Sequence, residues 1–247
     1  DAVFVYSVFV NGTQAVRLSR KFGVPVVYRV LDAYHRLRPG FLAQTILRLG
    51  ERFIYRRADR VLVTNEQMGQ YVSQIADADV SARTVVVDHG VDSVHFAPRS
   101  PDTELMLRYG LSDRDTIALF LGTTYAFSGL ANLVRRMPLA LQKCPTLKLM
   151  IVGGGEQDQE LATLVDELGL VGCVVLTGMV PYQEVPRYLS LATLALNPFE
   201  LNDIARDIIP IKILQYQAAA LPVLSTPLPD LLRKHRAGVS GIEYNDS

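Results

Sequence analysis

Residues 208–226 read IIPIKILQYQAAALPVLST. A helical run opens at Pro210 and gives way within ten residues to the apolar strand-like PVLST. Proline suits the first helical position, because the N–H it lacks would have no partner there, so the spacing predicts a helix over 210–219. The small residues of AAA let that helix pack close to a sheet before the chain turns into a buried strand. The free backbone N–H groups and the dipole at the helix start form an anion site, and Lys212 adds a full positive charge within the first turn. Cations are disfavoured at helix N-termini, so a lysine here points to a bound anion of phosphate type. The alternative is a lysine whose head snorkels to solvent.

Outward from this stretch the same alternation recurs. Strand-like runs rich in Val, Ile, Leu and Phe appear at AVFVYSVFV, PVVYRV, RVLVTN, TVVVDHG, TIALFLG, LKLMIVGGG, CVVLTG, LALNPF and PVLST. Helical patterns over 12–22, 41–57, 66–75, 129–143, 156–168, 183–190 and 210–219 lie between most of them. Strands apolar on both faces and separated by helices predict parallel sheets covered on each side, so the fold class is α/β. Two prolines and a polar run over 93–113 place a domain boundary near Ser100. Two Rossmann-like lobes are therefore expected, 1–99 and 100–247. Ligands of such sheets bind beyond the carboxyl ends of the strands, which selects LDAYH, DHGVD, GTTYAFSG, GGGEQ, TGMVP and NPFELNDIARDIIP.

Composition narrows the chemistry. The 247 residues carry 25 basic and 25 acidic side chains and are 49% hydrophobic, so a real core is expected and bulk charge gives no support for nucleic-acid binding. Residues 17–60 are the exception, with eleven Lys or Arg against three acids, a face suited to an anionic acceptor or membrane surface, or simply to solvent. Cys144 and Cys173 stand far apart and match no metal or redox spacing, which predicts buried thiols in a reducing compartment. The longest apolar run, VFVYSVFV, is far shorter than the roughly 20 residues of a membrane span, and a cytoplasmic protein is expected. GxxxxGK[ST], HExxH, GxSxG and DxDxDG are absent from the sequence. IVGGGEQD after a strand suggests a dinucleotide fold, but the third glycine of that fingerprint would fall on Asp158 and VVLTG ends without an acid for a ribose.

The order of motifs resembles the family 4 glycosyltransferases, retaining enzymes of the two-lobed GT-B fold. ERFIYRRADRVLVTNE looks like the family's helix before an AD-strand-Ser pattern, and VVVDHGVDSVHFAP resembles its crossover into the second lobe. LFLGTTYAFSGLANLV, LKLMIVGGGEQ, VVLTGMVPYQEVPRYLSLATLALNPF and IPIKILQYQAAALPVLST continue the likeness in order. The resemblance implies transfer of a sugar, without a metal or other cofactor, from a nucleotide diphosphate sugar held by the second lobe to a glycan or lipid-linked acceptor at the first. It implies phosphate contacts at Gly122, Thr123, Ser128, Lys212 and the N–H groups near Ile211. Gly178, Met179 and Val180 would border the base, and Gln215 falls where the family has a ribose-binding glutamate.

Several positions depart from the family pattern. Thr123 and Ser128 stand where an Arg and a Lys are usual, and Asp207 replaces a longer acid eight residues before Gln215. Leu31 takes the place of an active-site histidine, leaving Asp32 and His35 as the candidates to meet the acceptor or the transferred sugar. A retaining transferase in polysaccharide or glycolipid synthesis, peripheral at the inner membrane face, is the expected function; a relative that binds a nucleotide sugar or a protein partner without turnover is the alternative. The resemblance also implies that an opening strand and glycine-rich loop, and the final helices of the family, lie outside this chain.

Overall fold

The computed structural model describes residues 1–6, 8–37, 40–202 and 209–245, apart from the side chains at 9, 10 and 37. The chain divides into two compact units, Asp1–His89 and Gly90–Ser247. Phe96, fully buried, belongs to the second core, so the proline-bearing stretch that drew the boundary toward Ser100 packs with the second unit.

In the first unit four strands, β1 (Val3–Val5), β2 (Val26–Arg29), β3 (Arg60–Val63) and β4 (Thr84–Val86), form a parallel sheet in the order β1-β2-β3-β4. Helices α1 (Thr13–Phe22), α2 (Phe41–Tyr55) and α3 (Glu66–Ala76) connect them. Of the long apolar run at the start only Val3–Val5 is strand; Val8–Gly12 winds into a π-type turn that feeds α1. Buried Val8 packs against the backbone of α2, where a side chain on Gly50 would begin 3.1 Å from its Cγ1. Tertiary packing overrides the β propensity of those residues.

The second unit begins with α4 (Thr103–Arg108), which the polar break concealed from a periodicity reading; Asp102 caps it by accepting from Leu105 N–H at 3.0 Å. There follow β5 (Thr116–Leu121), α5 (Leu130–Lys143), β6 (Leu147–Val152), α6 (Asp158–Glu167), β7 (Val174–Leu176), α7 (Val185–Leu189), β8 (Leu194–Asn197), α8 (Ile211–Ala218), β9 (Val223–Ser225), α9 (Pro229–Lys234) and β10 (Ile242–Tyr244). Every pairing is parallel, in the order β10-β9-β8-β5-β6-β7. β5 and β6 are buried along most of their length on both faces, which is why their sequences are continuous apolar runs.

The strand order reverses between β5 and β8, the switch point at which open α/β sheets bind ligands. β5 pairs with β6 through Leu121, whereas its pairing with β8 ends at Phe120 opposite Leu196. The Tyr216 hydroxyl, on α8 and fully buried, fills the gap left there. It accepts from Leu121 N–H at 2.8 Å and donates to Leu196 C=O at 3.2 Å. Burial holds its pKa far above the ordinary tyrosine value, keeping the proton that the second bond requires. Tyr216 thus ties α8 to the mouth of the crevice. Tyr216→Phe should orphan one backbone donor and one acceptor in the core and destabilise the second unit by about 2–3 kcal/mol, read by chemical denaturation.

Candidate functional site

The carboxyl ends of β5, β6, β7 and β8 and the start of α8 converge on the switch point. α8 begins at Ile211, one residue after the expected start; Pro210 is extended, with ψ of 124°, and gives no side-chain cap. Lys212 therefore lies in the first turn of an uncapped helix. Its ammonium sits 3.7 Å from the Phe120 ring centre, on β5, and 4.2 Å from that of Phe199, two residues beyond the end of β8. Gly122, at φ of 135°, lies directly against it, and a side chain there would begin 3.1 Å from Nζ. Among the described residues no carboxylate lies within ion-pair distance of Lys212. The residue retains some accessible surface, yet burial of its head pushes its pKa well below the ordinary lysine value.

The loop after β5 is braced by the loop after β6. Thr124 donates to Asp158 Oδ1 at 2.6 Å, Gly155 N–H donates to the same oxygen at 2.8 Å, and Ala126 N–H reaches Glu156 Oε1 at 2.7 Å. Gly153, at φ of 133°, admits Gly122 C=O so closely that an added side chain would begin 2.1 Å from that oxygen. Asp158 therefore puts a negative charge at the start of α6, where a dinucleotide fold would bring its pyrophosphate. That disfavours the rival suggested by the glycine run, because the negative charge opposes a phosphate at α6, whereas the N-cap residue of α8 supplies no side-chain cap.

The remaining second-unit candidates take distinct positions. Thr123 is exposed beside Gly122, while Ser128 is fully buried and its hydroxyl donates to Thr123 C=O at 3.1 Å, bracing the loop from inside. Gly178 C=O accepts from Gly153 N–H at 3.1 Å, which sets Met179 beside the glycine loop with its side chain in solvent; Val180 turns back onto the core. Ile211 is half exposed, and Gln215 lies one turn beyond Lys212 on α8. Asp207 falls outside the described residues. The described residues contain no group of three or more His, Cys, Asp or Glu placed to hold a metal ion.

In the first unit Asp32 and His35 follow β2. Burial raises the Asp32 pKa above the ordinary carboxylate value. His35 is not the free loop histidine its position suggested: its Nδ1 lies 2.8 Å from Oε2 of fully buried Glu51 on α2 and 2.9 Å from the Tyr71 hydroxyl on α3.

The sequence profile of the family described as glycosyl transferases group 1 matches residues 115–246, over half of the chain, and that of the glycosyl transferase 4-like domain matches residues 1–90. The chain belongs to the group 1 glycosyltransferases.

The chain is 28% identical, over 198 residues, to the GDP-mannose-dependent alpha-(1-6)-phosphatidylinositol monomannoside mannosyltransferase of Mycolicibacterium smegmatis, covering 79% of this chain and 50% of that protein. It is 24% identical over 234 residues to the alpha-D-kanosaminyltransferase of Streptomyces kanamyceticus, covering 91% of this chain and 58% of that one. The chain thus spans about half the length of these curated relatives. Among solved structures, Anabaena HepE in complex with UDP-glucose superposes with a TM-score of 0.75 at 21% identity, covering 99% of this chain and 65% of that one. Sucrose-phosphate synthase from Thermosynechococcus elongatus gives 0.69 at 20%, covering 92% and 57%. The two α/β units have the GT-B type of fold.

Sequence reasoning missed Phe120, Phe199, Tyr216, Glu51 and Tyr71. Tyr216 carries the one readable signal, standing four residues after Lys212 on the same helical face. A desolvated ammonium without a carboxylate costs several kcal/mol, against about 1–2 kcal/mol returned by each ring face. Lys212→Met, which keeps the length and removes the charge, should therefore raise the melting temperature of the ligand-free protein. The lysine's penalty is complete below its lowered folded pKa and fades as pH climbs from that value toward the unfolded one. The gap between variant and wild type should accordingly narrow at alkaline pH, as followed by thermal denaturation across a pH series.

Proposed function

We propose that this chain carries the donor-binding part of a retaining glycosyltransferase, which moves a sugar from a nucleotide diphosphate sugar to a hydroxyl of a polysaccharide or glycolipid precursor. One observation carries the reading: an ammonium held at the switch point with no counter-ion among the described residues, beside an uncapped helix start. A diphosphate supplies the missing charge. Lys212, the Ile211 N–H and the backbone at Gly122 and Thr123 would then stabilise the negative charge that grows on the leaving group, in a site already arranged for it, with no metal required. Gly178, Met179 and Val180 would border the base, and Gln215 would accept from a ribose hydroxyl. The GDP-mannose dependence of the mycobacterial relative and the UDP and UDP-glucose complexes of HepE support this donor class.

The acceptor side carries its own signal. α1 and α2 expose Leu18, Phe22, Phe41, Leu42 and Leu49 alongside the arginines of the basic window, the composition of a face that lies on an anionic membrane surface. No helix among the described residues is long and apolar enough to cross a membrane. A lipid-linked acceptor presented at the membrane, with Asp32 and His35 toward it, fits that face.

A second reading is favoured by one observation, the use of the Ser128 hydroxyl inside the loop, which leaves the phosphate side short of a donor the resemblance calls for. Under it the chain binds a nucleotide sugar without turning it over.

Thermal denaturation of the chain with UDP, GDP and ADP, each alone and as its glucose or mannose conjugate, tests the site. One base series should stabilise the wild type, by about 2.7 kcal/mol at a hundred times the dissociation constant, and leave Lys212→Met unmoved. No shift with any of them, in a protein shown to be folded, would overturn the donor site. Nucleotide release with a retained anomeric configuration in the product supports the transferase; binding with no release supports the second reading.

A further inference from the structure

The first unit holds a polar cluster that donor binding does not use. A 3-10 turn, Tyr34–Leu37, brings His35 over α2 and α3 beyond the carboxyl end of β2. Beyond the two Nδ1 contacts, His35 N–H points to Glu51 Oε1 at 3.4 Å and the Tyr71 hydroxyl donates to Glu51 Oε2 at 2.9 Å. The imidazole also stacks on Tyr71, with ring centres 5.9 Å apart and planes 11° from parallel. Two residues, Glu51 and Tyr71, thus fix one ring.

An ionised carboxylate can only accept, so with Glu51 ionised the 2.8 Å contact between its Oε2 and Nδ1 places the proton on Nδ1; the other tautomer would set two lone pairs face to face. Nε2 is then bare. It has no hydrogen-bond partner among the described residues and is not among the sealed polar atoms, the side chain keeping 15% of its surface accessible. The lone pair is therefore not sealed in the core, and His35 lies in the segment that follows the carboxyl end of β2, the region where ligands of α/β folds bind. Asp32 in the same loop is a further oxygen acceptor, and Arg36 stands over the ring of Tyr71, 5.4 Å from its centre. Two acceptors in one loop suit a ligand that presents hydroxyl donors.

We propose that Glu51 is a positioning residue that locks His35 as the Nδ1–H tautomer, so that the bare Nε2 accepts a hydrogen bond from a hydroxyl of a polyol acceptor. Tyr71 supports it by neutralising the second lone pair of the Glu51 oxygen and by stacking on the ring. The role in acceptor binding rests on the glycosyltransferase reading; the tautomer does not.

Long-range proton–nitrogen NMR of the whole chain, at a pH where the ring is neutral, reads the tautomer directly. His35→Gln assigns the resonance among the four histidines. The expected spectrum has a protonated Nδ1 and an unprotonated Nε2. Glu51→Gln, whose amide can donate as well as accept, should shift the tautomer ratio at least about tenfold toward Nε2–H, the loss of one charge-assisted bond. Tyr71→Phe, which leaves the carboxylate in place, should keep the wild-type tautomer and serves as the folded control if Glu51→Gln misfolds. Titration with myo-inositol or glucose should move the Nε2 resonance in the wild type and not in Glu51→Gln. An Nε2–H tautomer in the wild type, or one unchanged in folded Glu51→Gln, overturns the positioning role. A wild-type Nε2 resonance indifferent to both polyols overturns the acceptor role. Neither readout needs nucleotide, so a failed donor site would show separately, as the absence of stabilisation by UDP, GDP or ADP.

Discussion

A lysine ammonium held against two phenylalanine rings, with no carboxylate beside it among the described residues, is the constraint on which the second unit turns. Phe120 stands on β5 and Phe199 just beyond the end of β8, the two strands that part at the switch point, and the Tyr216 hydroxyl bridges the gap between them. The same residue anchors α8 one turn beyond Lys212. Removing either support would let the ammonium rotate toward solvent, where it would be cheaper to hold and of less use to a ligand. Stability is given up locally so that a charge waits in place, and the surrounding apolar core, from Leu119 to Ile151, offsets the loss.

The two glycine-bearing loops show how the site chooses between helix starts. Asp158 neutralises the donors of the loop at α6, and its charge turns a phosphate away. Among the described residues α8 has no such group, its cap being a proline without a side-chain acceptor. A single side chain at the N-terminus thus distinguishes the electrostatics of two helices of one sheet.

Much of this was legible in the sequence where the signal is local. Continuous apolar runs announce strands buried on both faces, so all nine expected strands have counterparts, and the order of alternation announces parallel sheets. The proline before Lys212 marks the helix start to within one residue. Features that depend on distant partners were not legible. The opening run AVFVYSVFV has the composition of a long strand, yet its last three residues, with Val8 packed on α2, belong to a turn. α4, α9 and β10 are too short for periodicity to stand out. His35 looked like a loop histidine because Glu51 and Tyr71 lie 16 and 36 residues away. Ser128 looked like a phosphate donor because no spacing shows that Thr123 C=O faces it.

Lys212 can be followed one atom at a time, by titrating its side-chain carbon and nitrogen resonances in lysine-labelled protein, free and with saturating nucleotide diphosphate. The free protein should show one lysine titrating well below the ordinary range, absent from Lys212→Met, and the diphosphate should raise that value as its charge replaces the missing counter-ion. An ordinary lysine titration in the free protein, or a depressed one that the bound diphosphate leaves unmoved, would contradict the assignment of this ammonium to the donor site.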